Sequence, residues 1–145
     1  MQSDRRDRDA GDATLEMAIL APIVLILLSL VIAAGRTSIA SGSVAAAARD
    51  AARQASISRT YAAAMAAAQA SAQAELSREG LNCSPAPVVH VDATAFLRSK
   101  PGQLAPVHAT VICRVPLSDL LLPGTPGSRT LRARFTSPLD PFRGR

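Results

Sequence analysis

The 145-residue sequence predicts an α+β membrane protein, in which a single N-terminal transmembrane helix continues into a long alanine-rich helix and is followed by a small three-stranded antiparallel sheet. Three observations carry that expectation. Residues Met17 to Ala34 run without a charge, the stretch from Gly35 to Glu79 is dominated by alanine and holds no proline, and beyond Gly80 prolines and glycines separate short runs of alternating apolar and polar residues. The divisions implied are a cytoplasmic leader over 1–11, a transmembrane helix over 12–35, an alanine-rich extracytoplasmic helix over 36–80 and a disulfide-stapled β domain over 81–145. That last part has about 65 residues, a size at which a hydrophobic core alone is marginal. With Tyr61, Phe96, Phe135 and Phe142 as the only aromatic rings, a large independently packed enzyme is not expected.

The leader, QSDRRDRDA, is charged and lacks apolar anchors, so it reads as disordered, with the membrane helix beginning near Asp12 to Thr14. The eighteen uncharged residues that follow, at about 1.5 Å each, span a bilayer core. A cleaved export signal is the rival, because arginines precede the run and Ala33 and Gly35 offer small residues for a cleavage site. The apolar part of such a signal usually holds about 7 to 15 residues, however. Arg5 and Arg6 are followed by Asp7-Arg8-Asp9, where an arginine-pair export signal carries apolar residues. A retained helix is therefore expected, kinked at Pro22, which removes one backbone hydrogen bond.

Arg5, Arg6 and Arg8 on one side of the span face Arg36, Arg49 and Arg53 on the other, so the positive-inside count leans only weakly. Cys83 and Cys113 decide better. Both lie beyond the membrane helix, in a part that benefits from a staple, which places the C-terminal part in an oxidising compartment outside the membrane and the N-terminus in the cytoplasm.

Alanine is the best helix former, and the second segment is expected to be helical to Glu79, with Gly35, Gly42 and the serines from Ser56 to Ser58 as places to bend or break. Gly80 is placed to take the left-handed position of a Schellman cap, with Leu76 and Leu81 as its apolar contact. Val44, Ala48, Ala51 and Ala55 line one stripe while Arg49, Asp50 and Arg53 lie off it, which permits close approach of another helix. A solvated spacer is the alternative; a second membrane span is not, because charges recur too often.

In PVVHVDATAF, Val89, Val91 and Ala93 oppose His90, Asp92 and Thr94; in LAPVHATVICRVPL, Val107, Ala109, Val111, Cys113 and Val115 oppose His108, Thr110 and Arg114. A turn at Ser99-Lys100-Pro101-Gly102 closes the first hairpin. Pro123 to Gly127 marks the second turn, after which RTLRARF sets Leu131, Ala133 and Phe135 against Arg132 and Arg134. One apolar face per strand means a sheet laid against a cover, and the preceding helix is the available one.

Cys83, His90, His108 and Cys113 invite a zinc reading. His108 and Cys113 are an odd number of residues apart, so on a regular strand they point to opposite faces and do not converge on one ion. No metal site is expected. Cys113 instead faces the apolar side, within reach of Cys83 past the helix end; a disulfide is expected, with two buried free thiols as the alternative. Nucleophile elbows, phosphate-cradling loops, dinucleotide fingerprints and CxxC pairs are absent, so neither a catalytic residue nor a cofactor is assigned. Sixteen basic residues against eleven acidic ones give +5, with Arg129, Arg132, Arg134, Arg143 and Arg145 toward the C-terminus. That stretch lacks interleaved aromatic platforms and lies on the exported side, so a solvated face or attraction to anionic surface polymers or lipid is expected rather than nucleic-acid binding.

One feature exceeds what an anchor needs. Glu16 sits just inside the apolar run, where an ionised side chain is costly unless it snorkels or pairs, and Gly11 stands five positions before it. Gly11-DATLE-MAILAP, a glycine, four residues, a glutamate and an unbroken apolar helix, resembles the processing signal of type IV pilin-like proteins. The wider stretch GDATLEMAILAPIVLILLSLVIAAGR, with AARDAAR after it, resembles the TadE-like family of tight-adherence (Flp) pilus assembly proteins, and the helix, cysteine pair and PLSDLLLPGTPGSRT resemble its actinobacterial members more loosely. Met17 stands where that family usually has an aromatic residue, and Asp12 where a small or apolar one is more usual.

The resemblance implies a pilin-like fold and cleavage by a membrane-embedded prepilin peptidase after Gly11, leaving Asp12 as the new N-terminus. It also implies an assembly role for Glu16 as a charge inside the membrane, with other pilus assembly or pseudopilin subunits and membrane lipid as partners. The expectation is thus a non-enzymatic, single-pass pseudopilin-like protein of the cell membrane, part of a pilus assembly or secretion system serving cell adhesion. The alternative is a secreted or envelope-anchored binding protein whose apolar segment only directs export.

Overall fold

The computed structural model describes residues 3–92, 94, 105–121 and 124–139, with side chains from residue 15 onward. The chain divides into two compact units, Met1–Gly35 and Arg36–Arg145. Helix α1 (Ser3–Ile57) includes Pro22 and, contrary to the expectation of a disordered leader, starts at Ser3 rather than near Asp12. Extending an existing helix adds a hydrogen bond for each residue ordered without a new nucleation step, and no proline interrupts the chain before Pro22.

In the second unit the alanine-rich segment is two helices, the remainder of α1 and α2 (Tyr61–Arg78). Of the anticipated break points Gly35 and Gly42 stay helical, and the serine cluster is where the helix ends. Ser56 Oγ donates to the Arg53 carbonyl at 2.8 Å and Ser58 Oγ to the Gln54 carbonyl at 2.9 Å, so hydroxyls engage the carbonyls of the last turn. Thr60 then restarts the helix: its extended backbone and its Oγ1, accepting from the Ala63 N–H at 3.2 Å, make an N-cap. The other end of α2 is the Schellman cap read from the sequence. Gly80 has φ +67°, the Leu81 N–H reaches the Leu76 carbonyl at 2.9 Å and the Gly80 N–H the Ser77 carbonyl at 3.1 Å.

Strands β1 (Val88–Asp92), β2 (Pro106–Pro116) and β3 (Ser128–Pro138) form an antiparallel sheet in the order β1-β2-β3. Val91 faces Ala109 across β1–β2 and Ala109 faces Phe135 across β2–β3, so the predicted apolar residues share one side. Val107, Ala109, Val111, Cys113 and Val115 are fully buried there. They belong to one core with Ala40, Val44, Ala47, Ala48, Ala51, Ala52 and Ala55 of α1 and Ala64, Ala68, Ala72 and Leu76 of α2. Each alanine contributes one methyl, about 0.8 kcal/mol when fully buried, so this core gains from close approach of backbone to sheet more than from large side chains.

Helix α1 is tied to β3 by Ser137 Oγ donating to Ser56 Oγ at 3.1 Å and by the Arg49 guanidinium 5.3 Å from the centre of the Phe135 ring; Gln69 of α2 donates to the Pro87 carbonyl at 2.9 Å, just before β1. Among the described residues one element was not anticipated, the single turn α3 (Leu117–Leu120), which buries Leu120 between β2 and the second turn. In that turn Gly124 and Gly127 have φ +88° and +108°, which only glycine adopts readily. The predicted turn at 99–102 and the inward position of Ala93 lie outside the described residues.

Candidate functional site

The residues for which the sequence suggests a processing or assembly role lie along one helix. Gly11 and Asp12 are within the helical backbone of α1, and Glu16 follows one turn later with an exposed side chain. From Leu15 to Ile32 every large apolar side chain is exposed, between 47% for Leu20 and 70% for Met17. Among the described residues α1 is the one helix long and apolar enough to cross a membrane, and its apolar window is not buried against protein. In water such a surface is unfavourable by about 25 cal/mol per Å², so it needs lipid or other helices around it. Ser29 fits that setting, because its Oγ donates to the Leu25 carbonyl at 2.8 Å and leaves no unsatisfied hydroxyl proton.

Cys83 and Cys113 form a disulfide with Cα atoms 5.2 Å apart. The bridge joins the segment after α2 to the central strand, beside a hydrogen bond from the Ser84 N–H to the Arg114 carbonyl at 2.8 Å. Neither sulfur is therefore available to a metal. His90 and His108 lie on the opposite, outward side of the sheet, and His108 Nδ1 is 2.7 Å from Thr136 Oγ1. Among the described residues no group of His, Cys, Asp or Glu is arranged to hold a metal.

The outward face is polar. The register sets Asp92, His108 and Thr136 in one row and His90, Thr110 and Arg134 in the next, with Arg132 and Arg114 beyond. Hydrogen bonds from the Thr94 backbone and hydroxyl hold the Asp92 carboxyl below its ordinary pKa, with help from the charges of His108 and Arg134. Arg114 Nε donates to Ser128 Oγ. This arrangement orders the sheet surface but brings together no nucleophile and base.

Among the described residues, clefts adjoin the helices. One of about 330 Å³ is lined by Asp50, Arg53, Gln54, Ser56, Ile57 and Ser137. Another, about 210 Å³, lies where α1 passes the end of α2 and α3 and includes Arg36, Glu79 and Asp119. Sequence reasoning missed both, because their residues come from distant parts of the chain and only the packing of the helices unites them.

Residues 11–53 match the family model described as TadE-like protein. The match begins at Gly11 and ends inside α1, so α2, the disulfide and the sheet lie beyond it. No curated protein and no solved structure is significantly similar to the chain.

Proposed function

We propose that this chain is a non-enzymatic, single-pass membrane pseudopilin-like component of a tight-adherence (Flp) pilus assembly or secretion system, acting by helix packing and through an exported domain. The observation that carries the reading is the coincidence of the TadE-like match over residues 11–53 with the exposed apolar helix. In this reading the N-terminus is cytoplasmic and the small sheet extracytoplasmic, and the bridge between Cys83 and Cys113 supports that orientation, since disulfides persist in oxidising compartments. The alanine-rich helix, the cysteine pair and the Pro/Gly turn add a likeness to actinobacterial members.

A prepilin peptidase would cut after Gly11 and make Asp12 the new N-terminus. Gly11 lies in helical backbone, so the peptidase has to unwind the chain there, and glycine lowers that barrier because it is about 1 kcal/mol worse than alanine in a helix. The new amine sits about one helical turn from Glu16. In a bundle of such helices the Glu16 carboxylate pairs with a neighbour's amine, which offsets the burial of both charges.

The two residues then act at different steps, and that is the test. Gly11→Leu puts a bulky side chain beside the scissile carbonyl and should stop processing. Glu16→Ala should be inserted as well as the wild type, yet co-purify less with pilus assembly subunits from detergent-solubilised membranes. Wild-type association and function of both variants at equal expression would overturn the proposal.

A further inference from the structure

The cleft holding Arg36, Glu79 and Asp119 lies wholly within the second unit. At about 210 Å³ it is smaller than the roughly 300–1,000 Å³ of ordinary small-molecule pockets. Ala40 and Leu120, buried to 4% and 2% exposure, give it an apolar floor, and Ile39, 69% exposed, stands at its rim. Its charges come from three places in the chain. Among the described residues the ion pair present is Arg78 with Glu75, so Arg36, Glu79 and Asp119 share one cleft without bonding to each other. Arg36 comes two residues after Ala34, where the apolar run ends, and Arg36, Ile39, Ala40 and Ser43 fall at helical spacing on one stripe of α1.

We propose that this cleft binds the head group of a phospholipid that carries a primary ammonium, with the phosphate on the Arg36 guanidinium and the ammonium between the Glu79 and Asp119 carboxylates. The inference rests on the reading of the apolar run as a membrane span. A cleft with both signs of charge is complementary to a head group with both signs. A head group that is only anionic meets two carboxylates, and a quaternary ammonium has no N–H to donate to them. A guanidinium matches phosphate through paired N–H groups. The lipid is the source because the first cleft residue follows the apolar run so closely, which holds the site at the high local concentration of the bilayer surface. Ile39 offers the first methylenes an apolar contact.

The experiment uses the full chain, extracted from membranes after an alkaline wash, exchanged into micelles with equal amounts of phosphatidylethanolamine, phosphatidylcholine and phosphatidylglycerol, and read by native mass spectrometry. The ethanolamine lipid should be retained about two- to fivefold over either other lipid, the range expected of partly exposed charge pairs. Glu79→Gln with Asp119→Asn should bring its retention down to that of phosphatidylcholine, whereas Arg36→Gln should lower retention of all three, and Arg134→Gln on the outward sheet face should change nothing. Equal retention of the ethanolamine and choline lipids, or an unchanged preference in the double carboxylate variant, overturns the proposal and leaves the membrane reading standing. Release of the chain by the alkaline wash overturns both.

Discussion

The bridge between Cys83 and Cys113 is the perturbation whose effect follows most directly from the structure. It closes a loop of sequence separation 30, for which the chain-entropy model gives about 3.7 kcal/mol of stabilisation at room temperature. A domain of this size has a total stability of about 5–15 kcal/mol, so losing the bridge removes a quarter or more of it. The core cannot compensate, because the helix side of it is mostly alanine. With a urea dependence of about 1–3 kcal/mol per M, the unfolding midpoint should fall by about 2 M. Pulse proteolysis of the full chain in detergent across a urea series reads that midpoint, for oxidised protein, reduced protein and Cys83→Ala with Cys113→Ala. The last two should coincide well below the first. A reduced protein that unfolds at the oxidised midpoint would refute the reasoning, and rapid labelling of both thiols without reductant would remove its premise.

Ala48 is fully buried and Ala45 exposed on the same helix, so Ala48→Leu should destabilise the domain by about 1–3 kcal/mol through overpacking and Ala45→Leu should leave the proteolysis midpoint unchanged. Gly80→Ala places a Cβ at φ +67°, in open space but in the wrong backbone region, and should cost about 1 kcal/mol by the same assay. The Asp92 carboxyl, followed by NMR, should titrate below its ordinary range, and Thr94→Val should raise it by removing the hydroxyl donor. Because the folded state holds that proton more weakly than the unfolded chain, the Asp92 contribution to stability is present above the ordinary carboxylate range and lost as the pH falls through the lower folded value.

Strand alternation was readable, because a sheet covered on one side buries every second position: Val89 and Val91, then Val107, Ala109, Val111, Cys113 and Val115, are buried as their parity requires, with Thr110, buried on the other parity, as the exception. The cap at Gly80 was equally plain, since a glycine with leucines on either side at that spacing has one local solution. The pairing of Cys83 with Cys113 followed from the same parity. Other features depended on competition among weak terms. Three candidate break points differ little in local propensity, and the serine cluster prevails where its hydroxyls take carbonyls and Thr60 caps the next helix. The turn α3 follows Pro116 in a leucine-rich stretch that reads equally as strand or helix, and burial of Leu120 decides it. The helical start at Ser3 reflects propagation rather than any signal in the charged leader. At the candidate site the glycine, the glutamate and the apolar run were visible as a linear pattern, whereas the cleft of Arg36, Glu79 and Asp119 exists only once three elements have packed.

The intact mass of the chain extracted from washed membranes tests the central claim most directly. The account predicts a polypeptide beginning at Asp12, cut at the bond after Gly11, retaining the apolar run and carrying both cysteines oxidised. A mature chain beginning near Arg36, with the apolar run removed as an export signal, would contradict it, and a membrane-bound chain still carrying its leader would contradict the peptidase step.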